Sequence, residues 1–359
     1  MNAPRERPFA GRSVLVTGHT GFKGGWLSAL LVELGATVTG LALPPEGARS
    51  FFTSVGLEGR VRSHLGDVRD RAGVERVVRE AEPEVVFHLA AQPLVLRGYE
   101  EPAATFDTNV MGVVRVLDAV RACPSVRAVI VVTSDKCYEN DESARPFVEG
   151  DRLGGSDPYS ASKACAEIVA SAYRASFLAG GRPRARLATA RAGNVIGGGD
   201  HADLRIVPDV MRALFEGREL VVRSPDAVRP WQFVADTVHG YVALARALLS
   251  DEGDQFEGAW NFGPGAESLV SVRDLVARLR ARSGLAQVRW DPSPSRPAEA
   301  HHLVLDAEKA RRQLGVAPSV TLDEAIDRTV AWYLAERGAT PDAMFARTLD
   351  DLRRAERPA

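Results

Sequence analysis

Strand-like and helix-like stretches alternate through the first half of this 359-residue chain, which predicts an α/β fold around a doubly wound parallel sheet. A glycine-rich turn directly after the first strand makes that sheet Rossmann-type, the kind that binds a dinucleotide. The second half is richer in Gly, Pro and Arg and has shorter elements, which predicts a smaller, mixed C-terminal substrate-binding domain. These shifts divide the chain into a dinucleotide-binding domain at 1–192, with segments around 231–262 returning to it, a region at 193–340 that mainly binds substrate, and a C-terminal tail at 341–359.

Ser13-Val14-Leu15-Val16-Thr17 is β-branched and apolar, the pattern of a parallel strand covered on both faces. It runs into Gly18-His19-Thr20-Gly21-Phe22-Lys23-Gly24, and an apolar helical pattern follows through Trp26, Leu27, Leu30, Leu31 and Leu34. Gly18 permits the tight turn, Gly21 a close backbone approach to a pyrophosphate, and Gly24 close packing of helix on strand. The helix start supplies N–H donors to the phosphates. Further strands are read at 38–43, within 59–65 ending at Gly66-Asp67, and at 84–89, 128–133 and 188–191. Helical patterns occupy 73–81, 110–122 and the stretch that begins near Tyr159. Beyond these, Gly197-Gly198-Gly199-Asp200 and Ser224-Pro225 read as loops, 269–282 and 322–336 as amphipathic helices, and the charged stretch 338–359 as a loosely held tail.

Composition excludes several classes. The net charge is −2 with both signs interspersed, so nothing points to nucleic acid or a membrane surface. No apolar run reaches membrane-spanning length, and residues 1–12 are polar with no apolar signal core, which predicts a cytoplasmic protein. Cys123, Cys137 and Cys165 show neither metal spacing nor a disulfide framework, and His301 and His302 lack partner ligands, so no metal site is expected. Lysine is rare against abundant arginine, which makes its positions informative; Lys23, Lys136 and Lys163 all fall in motifs.

Tyr159 and Lys163 are four residues apart in Asp157-Pro158-Tyr159-Ser160-Ala161-Ser162-Lys163. On a helix that spacing puts both on one face. An ammonium beside a phenol favours phenolate and lowers the tyrosine pKa from about 10 toward neutral. The product is a general base for an alcohol that loses a proton as it loses a hydride.

With these residues in hand, the chain resembles the extended short-chain dehydrogenase/reductase family across roughly 12–336. The motifs are Thr17-Gly18-x-x-Gly21-x-x-Gly24, Gly66-Asp67-Val68, His88-Leu89-Ala90-Ala91, Asn109-Val110-x-Gly112 and Tyr159-x-x-x-Lys163. Within it the chain is most similar to the NAD-dependent nucleotide-sugar 4,6-dehydratases, in the branch that acts on CDP-glucose. That similarity rests on the whole glycine turn, Ala91-Gln92-Pro93-Leu94-Val95, Thr133-Ser134-Asp135-Lys136-Cys137-Tyr138-Glu139-Asn140, Arg191-Ala192-Gly193-Asn194 through Asp200, and Arg229-Pro230-Trp231-Gln232.

The resemblance implies internal redox through tightly bound NAD: oxidation at C4 of the hexose, loss of water across C5 and C6, and reduction at C6. Ser134, Asp135, Lys136, Tyr159 and Lys163 become the catalytic set, with Tyr159 as base, Ser134 on the C4 oxygen and Asp135 as acid for the C6 hydroxyl. Lys136 stands where many of these dehydratases carry Glu. It acts as base for the C5 proton only if its pKa is lowered, and otherwise orients Asp135 or polarises the ketone; both roles stay open. Cofactor contacts are expected from Gly18, His19, Thr20, Gly21, Phe22, Lys23 and Gly24, and from Asp67 and Val68 at the adenine. Leu89, Ala90, Ala91, Gln92, Asn109, Thr133, Tyr159, Lys163 and Arg191 complete that set. Substrate contacts are expected from Gln92, Ser134, Asn194, Gly199, Asp200, Arg205, Arg229, Trp231 and Arg296, arginine suiting a pyrophosphate through its planar fork.

His88 reads as a hydrogen-bonded strand-end residue. The acidic residue that usually follows the second strand and meets the NAD 2′-hydroxyl is absent, since Leu41-Ala42-Leu43-Pro44-Pro45 stands there with Arg49 nearby. The stretches after Asn140 and after Gln232 depart from the CDP-glucose branch. A homodimer or homotetramer is implied. Two other readings stay open: a dehydratase or 4-epimerase acting on another nucleotide sugar, and a non-catalytic NAD(P)-binding sensor. The Asp135-Lys136 pair argues against an epimerase, and the intact Ser134, Tyr159 and Lys163 set against a sensor.

Overall fold

In this computed structural model the structure describes residues 8–47, 49–140, 142, 145–178, 185–284, 287–291 and 302–356. The strands of the first half are β1 (Ser13–Thr17), β2 (Thr37–Ala42), β3 (Arg62–Leu65), β4 (Val85–His88), β5 (Ala128–Val132) and β6 (Arg186–Ala192). The second half contributes β7 (Asn194–Ile196), β8 (Leu220–Arg223), β9 (Val228–Phe233), β10 (Gly258–Phe262), β11 (Leu269–Ser271) and β12 (Val288–Asp291). Seven of them form one sheet in the order β10-β6-β5-β4-β1-β2-β3, with every neighbouring pair parallel. All residues of β4 and β5 are buried, as expected of an apolar run that only His88 at the end of β4 interrupts. Alternation sends Val14, Val16, Phe87 and Ile130 to one face and Leu15, Val86, Val129 and Val131 to the other, each face with its own apolar cluster.

The chain runs outward from β1 to β3, then crosses back to β4 on the other side. The reversal between β1 and β4 is the switch point where doubly wound sheets bind ligands. The rest of the C-terminal half is mixed: β9 pairs parallel with β7 and antiparallel with β11, and β12 pairs parallel with β8. No helix of the described residues is long and apolar enough to cross a membrane.

Two sequence expectations change. The stretch read as one helix over 269–282 opens as strand β11 and turns helical only at Val272, capped by Ser271 Oγ, which accepts the Asp274 N–H at 3.0 Å. The stretch read as a loosely held tail contains the helix Pro341–Ala355, which buries Met344, Phe345, Leu349 and Leu352. Thr340 caps it, Arg353 pairs with Glu33 at 2.7 Å, and Thr348 accepts from Trp332 Nε1 at 3.1 Å. Asp342, Asp350, Arg353 and Arg354 are exposed, while Asp351 is buried against Arg328 at 3.1 Å, so an apolar stripe at helical spacing is hidden in a charged composition.

Trp26, Phe51 and Trp332 stack in series, with centroids 5.2 and 5.9 Å apart, joining the helix after β1 to the C-terminal helices. The loop at Gly198 lies against this stack, and its carbonyl accepts Trp26 Nε1 at 2.9 Å. A Cβ on Gly198 would fall 2.1 Å from a ring carbon of Trp332. Gly198→Ala should therefore lower the unfolding free energy in urea by about 1–3 kcal/mol; an unchanged midpoint would show that the stack yields freely.

Candidate active site

The turn after β1 shows why its glycines are needed. Gly18 has φ +78°, and a Cβ there would lie 2.8 Å from Ala90 N at the end of β4. A Cβ on Gly24 would lie 2.0 Å from the Gly18 carbonyl oxygen, so the helix rests directly on the turn. Gly21 is open, with only the Gly18 oxygen at 3.4 Å. The helix Phe22–Glu33 has no side-chain cap, which leaves its first-turn N–H groups for a ligand. These features fit a bound pyrophosphate.

A cavity of about 1950 Å³ extends from this turn, past the ends of β4 and β5 and the start of the helix Pro158–Tyr173, to residues of the C-terminal half. Of the expected cofactor residues, Gly18, Thr20 to Gly24, Asp67, Val68, Leu89 to Gln92, Thr133, Tyr159 and Lys163 line it. The whole expected catalytic set lines it too, as do Asn194, Gly199, Asp200, Arg205, Arg229 and Trp231. Arg296 lies outside the described residues.

Three residues expected at the cofactor do not line this cavity. His19 is fully buried under β2, its ring filling the space that a Cβ on Gly40 would take, with Nε2 at 2.7 Å from Ser63 Oγ. Burial, with His64 nearby and against a hydrogen bond at Leu41, lowers its pKa to about 4. Asn109 is a brace: it accepts the Gln92 N–H at 2.8 Å and donates to Ser162 Oγ at 2.9 Å, tying the β4 loop to the Tyr159 helix. Arg191 points behind the site, paired with Glu167 at 2.7 Å. β-strand alternation explains it, since Arg191 and Asn194 leave the chain in different directions. His88 is a strand-end residue as read: it is buried, and its Nδ1 lies 2.7 Å from Thr17 Oγ1.

Ser134 caps the short turn Asp135–Cys137, its Oγ donating to Asp135 Oδ1 at 2.9 Å and accepting the Lys136 N–H at 3.2 Å. Asp135 is buried, and Gly193 gives it room: a Cβ there would sit 3.0 Å from Oδ2. Tyr159 differs from the expected low-pKa phenol. Burial pushes it up to about 12, opposed by its hydrogen bond with Ser134 and reinforced by Asp135. Lys163 Nζ donates instead to the Val132 carbonyl at 3.3 Å. Its own pKa falls to about 8 through burial and the charge of Lys23, against Glu167. Lys23 falls to about 8 as well, through burial and Arg205, against Asp135 and Asp200. Arg205 pairs with Asp200 at 2.9 Å, and the Tyr333 hydroxyl donates to the Asp200 carbonyl.

Among the described residues no group of His, Cys, Asp and Glu is gathered as for a metal ion. Two residues escaped the sequence reading. Glu167 had one signal, a carboxylate one helical turn beyond Lys163 among Ala, Cys and Val. Tyr333 had none, because it reaches the site from a helix distant in sequence.

The sequence model of the GDP-mannose 4,6 dehydratase family matches residues 15–329. The chain belongs to this family. A CDP-glucose 4,6-dehydratase of Salmonella typhimurium is 44% identical over 90% of this chain and 91% of its own. A UDP-glucose 4-epimerase of Mycolicibacterium smegmatis is 30% identical over 89% and 97%. Among solved structures, the dTDP-glucose 4,6-dehydratase DesIV of Streptomyces venezuelae with NAD and TYD bound superposes with a TM-score of 0.78 at 26% identity, covering 90% of this chain and 98% of that one.

In this dehydratase-family site two lysines are held below their usual range, and the sign of the effect on stability follows. Between about 8 and 10.5 the unfolded chain binds more protons at Lys163 than the folded one, so folding carries a penalty that is complete below about 8 and gone above 10.5. In protein stripped of small ligands, the stability of Lys163→Met relative to wild type should fall by roughly 2–4 kcal/mol from pH 7.5 to 10.5 in urea titrations. A difference that does not move with pH would contradict the burial of the ammonium.

Proposed function

We propose that the protein converts CDP-glucose to CDP-4-keto-6-deoxyglucose and water, using NAD that it retains. The observation that carries this is the turn Ser134-Asp135-Lys136 lining one cavity with Tyr159 and Lys163. Oxidation needs only a base and a hydrogen bond on the C4 oxygen. A buried carboxylate on the same turn has a use when a second hydroxyl must leave.

Gly18, Thr20 to Gly24 and the helix start hold the NAD pyrophosphate; Asp67 and Val68 meet the adenine, and Lys163 the ribose. NAD supplies there the acceptor and later the donor of one hydride. Tyr159 takes the proton of the C4 hydroxyl, with Ser134 bonded to the same oxygen. The C4 ketone acidifies the C5 hydrogen. Asp135 donates to the departing C6 hydroxyl. Lys136 is the base for the C5 proton, or it orients Asp135 or polarises the ketone; Lys136→Met should stop C5 exchange with solvent if it is the base and only slow it otherwise. Arg205 and Arg229 hold the pyrophosphate of the nucleotide. The choice of CDP is supported by the Salmonella relative.

The proposal includes the division at residue 192, a cytoplasmic location, and a homodimer or homotetramer. Phe106, Met111 and Ile168 lie exposed on adjoining helical segments and offer an apolar face for self-association.

Purified protein incubated separately with CDP-, dTDP-, GDP- and UDP-glucose should remove one water from CDP-glucose, read by mass spectrometry. Tyr159→Phe should reduce the rate by about 10²–10⁴-fold. Epimerised sugar without water loss, or no product from any of the four with NAD added, overturns the proposal.

A further inference from the structure

One buried carboxylate lies outside the residues assigned above. Glu167 is on the helix Pro158–Tyr173, four residues after Lys163 and eight after Tyr159, so the three share a face. Its side chain is 3% exposed. One oxygen accepts the hydroxyl of Thr133, and the other accepts Thr189 Oγ1 at 2.7 Å and Arg191 Nη2 at 2.7 Å. Thr133 immediately precedes Ser134, and Arg191 is in β6, shortly before Asn194.

The network continues away from the cavity. Arg191 Nη1 donates to the Tyr138 hydroxyl at 2.7 Å and to the Glu149 carbonyl at 3.1 Å. The Tyr138 hydroxyl donates to Asn261 Oδ1 in β10 at 2.7 Å. Every oxygen of the carboxylate has a partner, and those partners come from the two strand ends that border the reacting groups. Replacing a buried ion pair by an apolar pair of the same volume is often neutral or stabilising, so stability alone does not call for this ion pair.

We propose, resting on the dehydratase reading above, that Glu167 is a positioning residue: with Arg191 it clamps the Tyr159–Lys163 face of its helix to the strand ends carrying Ser134 and Asn194, and it supplies the fixed negative charge that Lys163 faces. The groups around Lys163 support the second part. It faces Lys23 from the glycine turn, His88 from β4, Cys137 from the turn after β5, and Glu167 from its own helix. His88 is neutral, its pKa lowered to about 3 by burial and by Lys163, and burial raises the Cys137 thiol. Glu167 is the anion of that set.

The chain has four lysines, so a sample labelled with ¹³Cε-lysine gives a resolvable NMR titration. In Glu167→Gln the midpoint of Lys163 should fall by about one pH unit. In the same variant kcat on CDP-glucose should fall about 10- to 100-fold with KM little changed. The proposal requires both. A Lys163 midpoint at its wild-type value, or a kcat that falls only with the folded fraction, overturns it. If Glu167→Gln does not fold because Arg191 is left unpaired, Glu167→Gln with Arg191→Met removes both charges; their effects on Lys163 then oppose each other, and the fall in kcat with KM little changed decides. If wild-type protein leaves CDP-glucose unchanged, the reaction assignment fails while the lysine titration still decides the role of Glu167.

Discussion

The turn after β1 comes within contact distance of the end of β4, and the site is built on that approach. Gly18 has no side chain to hold the two backbones apart. Thr17 Oγ1 fastens them, meeting His88 Nδ1 at 2.7 Å and accepting the N–H groups of Leu89 and Ala90 at 3.1 Å each. The glycine turn and the loop from Leu89 to Gln92 thereby become one floor. Asn109 then ties that floor to the Tyr159 helix. The approach thus fixes the Tyr159 phenol relative to the glycine turn, although the two are far apart in the chain.

Burial of the titratable groups sets the electrostatics above this floor. The expectation that Lys163 pulls the Tyr159 phenol toward neutrality gives way to burial, which raises the phenol and lowers both lysines. A cavity that disfavours every charge makes each opposite charge worth more. Asp135, Asp200 and Glu167 are the carboxylates that answer Lys23, Lys163 and Arg205.

Much of this was legible in the sequence because it depends on local patterns. Six of the seven strands of the large sheet were read to within a few residues, β10 being the exception, and the glycine spacing and the Tyr159–Lys163 spacing marked groups that do line one cavity. The misreadings involve direction or distance. His19 and Arg191 stand in the right motifs, but their side chains turn into the protein, and a motif does not say which way a side chain leaves the backbone. Asn109 faces the loop it braces and not the cavity. The helix Pro341–Ala355 was hidden by its charge, although Thr340-Pro341 is a clear helix start and Met344, Phe345, Leu349 and Leu352 recur at helical spacing. Tyr333 reaches Asp200 across the fold, a contact that no local pattern contains.

The central claim is that one cavity oxidises C4 and reduces C6 with the same hydride. The most direct measurement is the fate of deuterium in CDP-[4-²H]glucose. If the claim holds, NMR of the product will show the label in the C6 methyl group. Label retained at C4, or lost to solvent or to free NADH with an unlabelled methyl group, would contradict it.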